Sequence, residues 1–291
     1  MKNDPAAQPR ILVTGANGQL GMEFRQLSAS RPGNPFIFTG REELDITDPK
    51  AVNDFFKINK IDFCINCAAY TAVDKAESEM VIAEKINIEG PANLSAACRD
   101  HHVQLFHIST DYVFNGTGAA PYLPDDATDP VNFYGGTKLR GEIKALEKNK
   151  NIVILRTAWV YSSFGHNFVK TMLRLMKEKE SINVVSDQSG SPTYAADLAA
   201  AILQVIDNKN FIPGVYHYTG EGITSWFEFA KEIAVQINSK CIVNPINTDQ
   251  YPTPAARPAY SALNTEKFRT VFGISIPQWK DSLHRCLALM K

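Results

Sequence analysis

A phenol and an ammonium stand four residues apart in the stretch Tyr134-Gly135-Gly136-Thr137-Lys138. If that stretch opens a helix, the i,i+4 spacing puts Tyr134 and Lys138 on one face, close enough to interact. An isolated tyrosine has a pKa of about 10, and a cation held within a few ångströms favours the phenolate, drawing the pKa toward neutrality. Such a tyrosine can pass a proton at working pH. The two small residues between the pair leave room for another molecule against that face, and Lys138 has spare donors to hold it. A helix start with an exposed lysine is the plain alternative, and the pentapeptide alone favours it.

Two further clusters shift that balance. Ser109-Thr110-Asp111-Tyr112-Val113-Phe114 follows an apolar run, and hydroxyls at a strand end can hydrogen-bond a carbonyl oxygen on which negative charge develops. The same residue types also cap loops. Near the start, Gly15-Ala16-Asn17-Gly18-Gln19-Leu20-Gly21 lies between the apolar run from Arg10 to Thr14 and an amphipathic segment reaching about Ala29. This reads as strand, glycine turn, helix. Backbone N–H groups at such a helix start can meet a pyrophosphate, and the last glycine lets helix and strand pack closely. The glycines are spaced three and three, unlike the commoner G-x-G-x-x-G.

These clusters need a scaffold, and the chain alternates strand and helix through its first 160 residues. Strands are expected at 10–14, 35–39, 63–67, 104–109 and 151–156, with a sixth returning at 215–218. Asp48 reads as the N-cap of a helix to about Asn59. Asp74 and Glu77 read as a capping box, and a long helix covers Asn87 to Arg99. Helices are also expected at 167–179 and 195–207, with short strands at 183–186 and 242–243. Where NAD-selective folds often carry an acid, after the second strand, Thr39-Gly40-Arg41 has none; Arg41 can face a 2′-phosphate. Asp45 and Ile46 would flank an adenine. Ala68, Ala69 and Tyr70 follow the third strand at its carboxyl end and are assigned to cofactor contact.

Trp159, after the fifth strand, is placed to stack on a flat or sugar-like ligand, although tryptophans usually serve packing. In the loop Tyr251 to Pro258 three prolines pre-set the backbone, so that Arg257 could clamp a phosphate. The fold class expected is α/β, a Rossmann-type doubly wound parallel sheet from 9–160 and 194–220, intergrown with a smaller substrate-binding part from 161–193 and 221–291.

Composition excludes several functions. Thirty basic and thirty-one acidic residues give a net charge of −1, so no overall field recruits nucleic acid or an anionic membrane. No run reaches the roughly 18 apolar residues of a membrane span, and the opening ten residues are polar. A cytoplasmic protein is expected. Five cysteines in 291 residues make no disulfide framework. Cys64 and Cys67, three apart in a strand, point to opposite faces and do not form a redox pair. The six histidines show no zinc spacing.

Taken together, Gly15-x-x-Gly18-x-x-Gly21, Ser109-Thr110-Asp111 and Tyr134-x-x-x-Lys138 resemble the extended short-chain dehydrogenase/reductase family. Thr71 to Glu77, Ser109 to Phe114, Arg156 to Tyr161, Asn167-Phe168 and Tyr251 to Pro258 narrow the resemblance to its dTDP-4-dehydrorhamnose reductases, over nearly the whole chain. The resemblance implies reduction of the 4-keto group of dTDP-4-dehydro-β-L-rhamnose by NADPH, with NADH as an alternative donor. It assigns Tyr134 as proton donor to the C4 oxygen, and Lys138 to the nicotinamide ribose. Thr110 would hold the carbonyl, and Asp111, Tyr112, Phe114, Trp159, Asn167 and Arg257 the substrate. Gly15, Asn17, Gly18, Gln19, Leu20 and Gly21 would form the pyrophosphate turn. Some similar proteins hold a divalent metal between subunits with glutamates; here Glu23 matches, but Ala196 and Leu289 stand at the other two positions. No metal and a monomer or weak homodimer are therefore expected. Two other readings stay open: a reductase or epimerase of another nucleotide-4-ketosugar, and a non-catalytic dinucleotide-binding regulatory subunit.

Overall fold

A computed structural model describes residues 8–31, 33 and 35–290, so most of the polar opening segment lies outside the described residues. The first half is a regular alternation: β1 (Ile11–Thr14), α1 (Gln19–Ala29), β2 (Phe36–Thr39), α2 (Pro49–Ile58), β3 (Phe63–Asn66), α3 (Val73–Ala76), α4 (Met80–Glu84), α5 (Gly90–Asp100), β4 (Gln104–Thr110), α6 (Phe133–Lys148) and β5 (Ile152–Thr157). The second half is β6 (Val160–Tyr161), α7 (Phe168–Glu178), β7 (Ser181–Val185), β8 (Ser189–Gly190), β9 (Thr193–Tyr194), α8 (Ala195–Asp207), β10 (Gly214–His217), β11 (Thr224–Ser225), α9 (Trp226–Gln236), β12 (Ile242–Ile246), α10 (Glu266–Phe272) and α11 (Trp279–Ala288).

Six parallel strands form the central sheet in the order β10-β5-β4-β3-β1-β2. β1, β3 and β5 open as apolar runs because helices cover both faces of the sheet, while β4 buries Leu105 and Phe106 beside the polar His107, Ser109 and Thr110. α1 and α8 close one face with Leu20, Phe24, Leu198 and Ile202, and α2, α5 and α6 close the other with Val52, Phe56, Leu94 and Ala145. Each fully buried Leu, Ile or Phe side chain contributes roughly 1.5–3 kcal/mol. The chain leaves β1 for β2 on one side and reaches β3 on the other, so the strand order reverses at β1, and ligands bind beyond the carboxyl ends of strands at such a switch point. The sixth strand expected at 215–218 is β10, in parallel register with β5.

Beyond the sheet, Tyr161, Val169, Ile182, Phe229, Ile233, Trp279 and Leu283 form a separate core under α7, α9 and α11. The strand expected at 242–243 extends to Ile246 because it pairs with all of β7.

Two local expectations change. Asp74 and Glu77 do not form a capping box: Ala72 is the N-cap of α3, Asp74 pairs with Arg257 at 2.6 Å, and Glu77 accepts from the Phe133 backbone N–H at 2.9 Å. Long-range partners outcompete the local ones. The helix expected from Asn87 is divided, with one π-helical turn at Lys85–Glu89 before α5. Pro91 has no N–H to give the Asn87 carbonyl, which favours the wider turn. Gly141 of α6 packs where a Cβ would stand only 1.9 Å from that carbonyl oxygen. Asp48 does cap α2, accepting from the N–H groups of Lys50 and Ala51.

Candidate active site

α6 begins where Asn132 turns its Oδ1 to the Gly135 N–H at 2.8 Å and its Nδ2 to the Ala256 carbonyl at 2.8 Å. The residues after β4 lie against this first turn so closely that a Cβ on Gly135 would be 2.1 Å from the Tyr112 carbonyl oxygen, whereas Gly136 faces open space. The helix start therefore docks on the end of β4. This brings Tyr134 and Lys138 to Thr110, the last residue of that strand.

All three residues line one cavity of about 1100 Å³ at the carboxyl ends of the strands. Tyr134 is 9% exposed and meets the Tyr112 ring edge-on at a centroid distance of 5.8 Å. Burial pushes its phenol up to about 12, although a hydrogen bond with Thr110 pulls the other way. Lys138 is 2% exposed, and its Nζ donates to the Ile108 carbonyl at 2.8 Å. Burial draws this ammonium down to about 8, against the attraction of Glu142. The expectation that Lys138 brings the phenol toward neutrality does not hold here: desolvation is the largest cause of the shift, Asp111 adds to it, and only the Thr110 hydrogen bond opposes it. The phenol thus keeps its proton at neutral pH. Thr110 Oγ1 donates to Asp111 Oδ1 at 3.0 Å and accepts from the Tyr112 N–H at 3.2 Å. Asp111 is buried, its second oxygen without a partner at full hydrogen-bond geometry among the described residues, and burial pushes it up to about 6 against the opposing pull of the Ser261 and Thr110 hydroxyls.

The glycine turn forms the other end of the cavity. Gly15 adopts φ +63°, and a Cβ there would be 2.6 Å from the Ala68 nitrogen. At Gly21 a Cβ would stand 2.5 Å from Ala16 Cα, so α1 packs as tightly on β1 as its spacing implied. Gly18 is the N-cap of α1, and Gln19 and Leu20, whose N–H groups have no acceptor within the helix, line the cavity. Asn17, Arg41, Asp45, Ile46, Ala68 and Ala69 also line it. Asp45 accepts from both Thr47 N–H and Oγ1, which hold it below the usual carboxylate range, with Arg41 and Lys85 adding to the effect. A cradle closed to side chains at Gly15 and Gly21, a helix N-terminus and two nearby cations match a dinucleotide phosphate.

Asp111, Tyr112 and Trp159 line the cavity; Trp159 has φ +49° and stacks on Trp226 at 3.6 Å. Four other expected residues lie outside the lining. Tyr70 bonds Glu79 at 2.7 Å, and its backbone is taken by Asn87. Phe114 is wholly buried against Tyr122. Asn167 caps α7 and donates to Gln19 Oε1 at 2.9 Å. Arg257 is bidentate on Asp74, at 2.6 and 2.8 Å. In each case an internal partner uses the group that the sequence offered to a ligand. Lys85, His166 and Trp226 line the cavity unforeseen. Lys85 sits on the π-helical turn, and only its helical spacing from Val81 and Ile82, which also line the cavity, carried any signal.

Comparison with known proteins agrees with this geometry. The model for the RmlD substrate binding domain matches residues 9–291. A dTDP-4-dehydrorhamnose reductase of Salmonella typhimurium is 41% identical over 293 residues, covering 96% of this chain and 97% of that protein. The chain belongs to the dTDP-4-dehydrorhamnose reductase family. Among solved members of that family, the Clostridium acetobutylicum protein superposes with a TM-score of 0.92 at 43% identity, covering 97% of this chain and 99% of its own. The Bacillus anthracis reductase, solved in complex with NADP, gives 0.93 at 39% identity with the same coverage.

Proposed function

We propose that this chain reduces the 4-keto group of dTDP-4-dehydro-β-L-rhamnose to dTDP-L-rhamnose with NADPH. The observation that carries the reading is the convergence of Thr110, Tyr134 and Lys138 on one cavity whose far end is the glycine turn. The turn at Gly15, Gly18 and Gly21 would hold the pyrophosphate, Arg41 and Lys85 the 2′-phosphate, and Lys138 the nicotinamide ribose. Bound there, NADPH supplies the hydride.

The chain's own residues handle the oxygen and its proton. Thr110 can turn its hydroxyl from Asp111 to the substrate carbonyl, fixing it beside Tyr134. As charge develops on that oxygen, Tyr134 Oη gives up its proton, and the Lys138 ammonium stabilises the resulting phenolate. A phenol held near 12 starts fully protonated, as reduction requires. Trp159 and Trp226 form an aromatic wall for the sugar nucleotide. The part of the chain comprising 161–193 and 221–291 acts as the substrate side, and the sheet as the cofactor side.

The working protein is a monomer or weak homodimer in the cytoplasm. Five free cysteines suit a reducing compartment, and among the described residues no helix is long and apolar enough to cross a membrane. Turnover against a panel of nucleotide-4-ketosugars tests the reading: the dTDP-4-dehydrorhamnose should be preferred in kcat/KM. A better rate with another ketosugar would reassign the substrate, and NADPH binding with no turnover of any would favour a regulatory subunit.

A further inference from the structure

Behind the reacting face of α6 lies a buried charged cluster that the proposed reaction does not touch. Glu142, one turn beyond Lys138, is 2% exposed, and Arg156 on β5 is 5% exposed. Arg156 grips the carboxylate with two nitrogens, Nη2 to Oε2 at 2.7 Å and Nε to Oε1 at 3.0 Å. Ser109 Oγ donates to the same carboxylate. The third guanidinium nitrogen, Nη1, donates to the Pro124 carbonyl at 3.0 Å, and the Phe114 ring lies 5.2 Å from the guanidinium carbon. Because Ser109 faces Arg156 and Thr110 faces Thr157 in the β4–β5 register, the cluster ties α6 to both strands directly behind Thr110.

A buried ion pair is weak evidence of a stabilising role, since desolvation offsets much of the attraction. Its placement is more informative. Arg156 and Ser109 occupy the oxygens of Glu142, and Lys138 bonds the Ile108 carbonyl instead of the carboxylate. The charges of Glu142 on α6 and Cys67 after β3 act on Lys138, which in turn acts on His107 of β4; Tyr134 stands one turn before it on α6, Asp111 just after β4 acts on Tyr134, and Arg156 of β5 contacts Glu142. Burial keeps the Cys67 thiol and the Tyr134 phenol protonated and His107 neutral. Asp111 lies on the Tyr134 side, where it raises the phenol. Glu142 is the carboxylate whose field favours the charged lysine.

We propose that Glu142, clamped by Arg156 and Ser109, is a positioning residue for the reduction: it supplies the counter-charge that keeps Lys138 an ammonium while leaving that ammonium free to face the cavity. This rests on the reductase reading above. The clamp explains why the carboxylate is held back from Lys138, since a direct ion pair would occupy the donors needed for ribose and phenol.

The test is the pH profile of kcat at saturating NADPH and ketosugar, with Tm measured alongside. The double variant Glu142→Leu/Arg156→Met removes both buried charges and leaves neither unpaired, a replacement that proteins commonly tolerate. It should remain folded, move the alkaline limb at least about one unit to lower pH, and lose roughly fivefold or more in kcat at pH 8 with a smaller change in KM, as expected when a charge supporting proton transfer is weakened. Glu142→Gln should move the limb in the same direction and serves if the double variant does not fold. Glu142→Asp, which keeps a carboxylate for Arg156, should restore the limb to within about 0.3 unit of the parent. An unmoved limb in a folded Leu/Met or Gln variant would overturn the proposal and leave the cluster a structural clamp. A parent protein without ketosugar turnover would instead contradict the reductase reading itself.

Discussion

Tyr134→Phe deletes one hydroxyl and leaves nearly everything around it in place. The ring keeps its edge contact with Tyr112, and Thr110 keeps its bonds to Asp111 and to the Tyr112 N–H, so no buried donor is stranded. The stability cost should stay within about 1 kcal/mol, that of a single hydrogen bond. The catalytic cost should be much larger. With the phenol held near 12, essentially every molecule carries the proton at pH 7, so the variant loses the full contribution of a general acid. That contribution is roughly 10²- to 10⁴-fold in kcat, or about 3–5 kcal/mol of barrier. Following NADPH oxidation at saturating ketosugar measures kcat, and fluorescence titration measures NADPH affinity, which should change less than about threefold because the glycine turn and Lys138 remain. Lys138→Ala should damage both quantities. In the parent enzyme kcat should fall as pH rises through the Lys138 value of about 8, before the phenol itself ionises. A Tyr134→Phe variant turning over within threefold of the parent would show that the proton comes from elsewhere, and the assignment of this helix start would fail.

Other consequences are open to direct measurement. The preference for NADPH over NADH should be modest and should shrink in Arg41→Ala and further in Arg41→Ala/Lys85→Ala, read as the ratio of the two kcat/KM values; a ratio unchanged in the double variant would remove these cations from cofactor selection. Asp111 has a folded pKa of about 6, above the ordinary 3.8, so the folded state binds more protons between those values and its stability declines as pH rises through that window. Asp111→Asn should therefore raise Tm more at pH 7.5 than at pH 4.5, and equal effects at both would contradict the burial argument. Activity should survive exhaustive chelation, because Glu23 is buried and accepts the Ser162 hydroxyl at 2.5 Å, with Ala196 and Leu289 offering no ligand oxygens in their side chains. Loss of turnover in EDTA, restored by magnesium, would refute this.

How much of this was legible in the chain depended on the range of the interaction. The sheet was readable because most of its buried strands are apolar runs, and α8, expected near Ala195 to Asp207, was readable from its apolar sequence and from the Gly190 to Thr193 stretch read as a turn before it. The glycine turn was readable because Gly15 and Gly21 admit no side chain for reasons local to β1 and α1, apart from the contact with Ala68. Two of the residues found outside the cavity lining are held by distant partners. Arg257 finds Asp74 183 residues away, Asn167 finds Gln19 148 residues away, and no local pattern encodes either pairing. The π-helical turn carrying Lys85 depends on Pro91 together with Gly141 of another helix. Residue types showed what chemistry was available; tertiary packing decided which groups were left free to perform it.

The central claim, that this cavity delivers hydride to C4 of the ketosugar, is tested most directly by reducing dTDP-4-dehydrorhamnose with NADPH deuterated at the transferring position and examining the product by NMR. The account predicts dTDP-L-rhamnose with a single deuterium at C4, formed by the parent protein and at least about 100-fold more slowly by Tyr134→Phe. Deuterium at another carbon, or NADPH bound but unconsumed with this ketosugar, would contradict it.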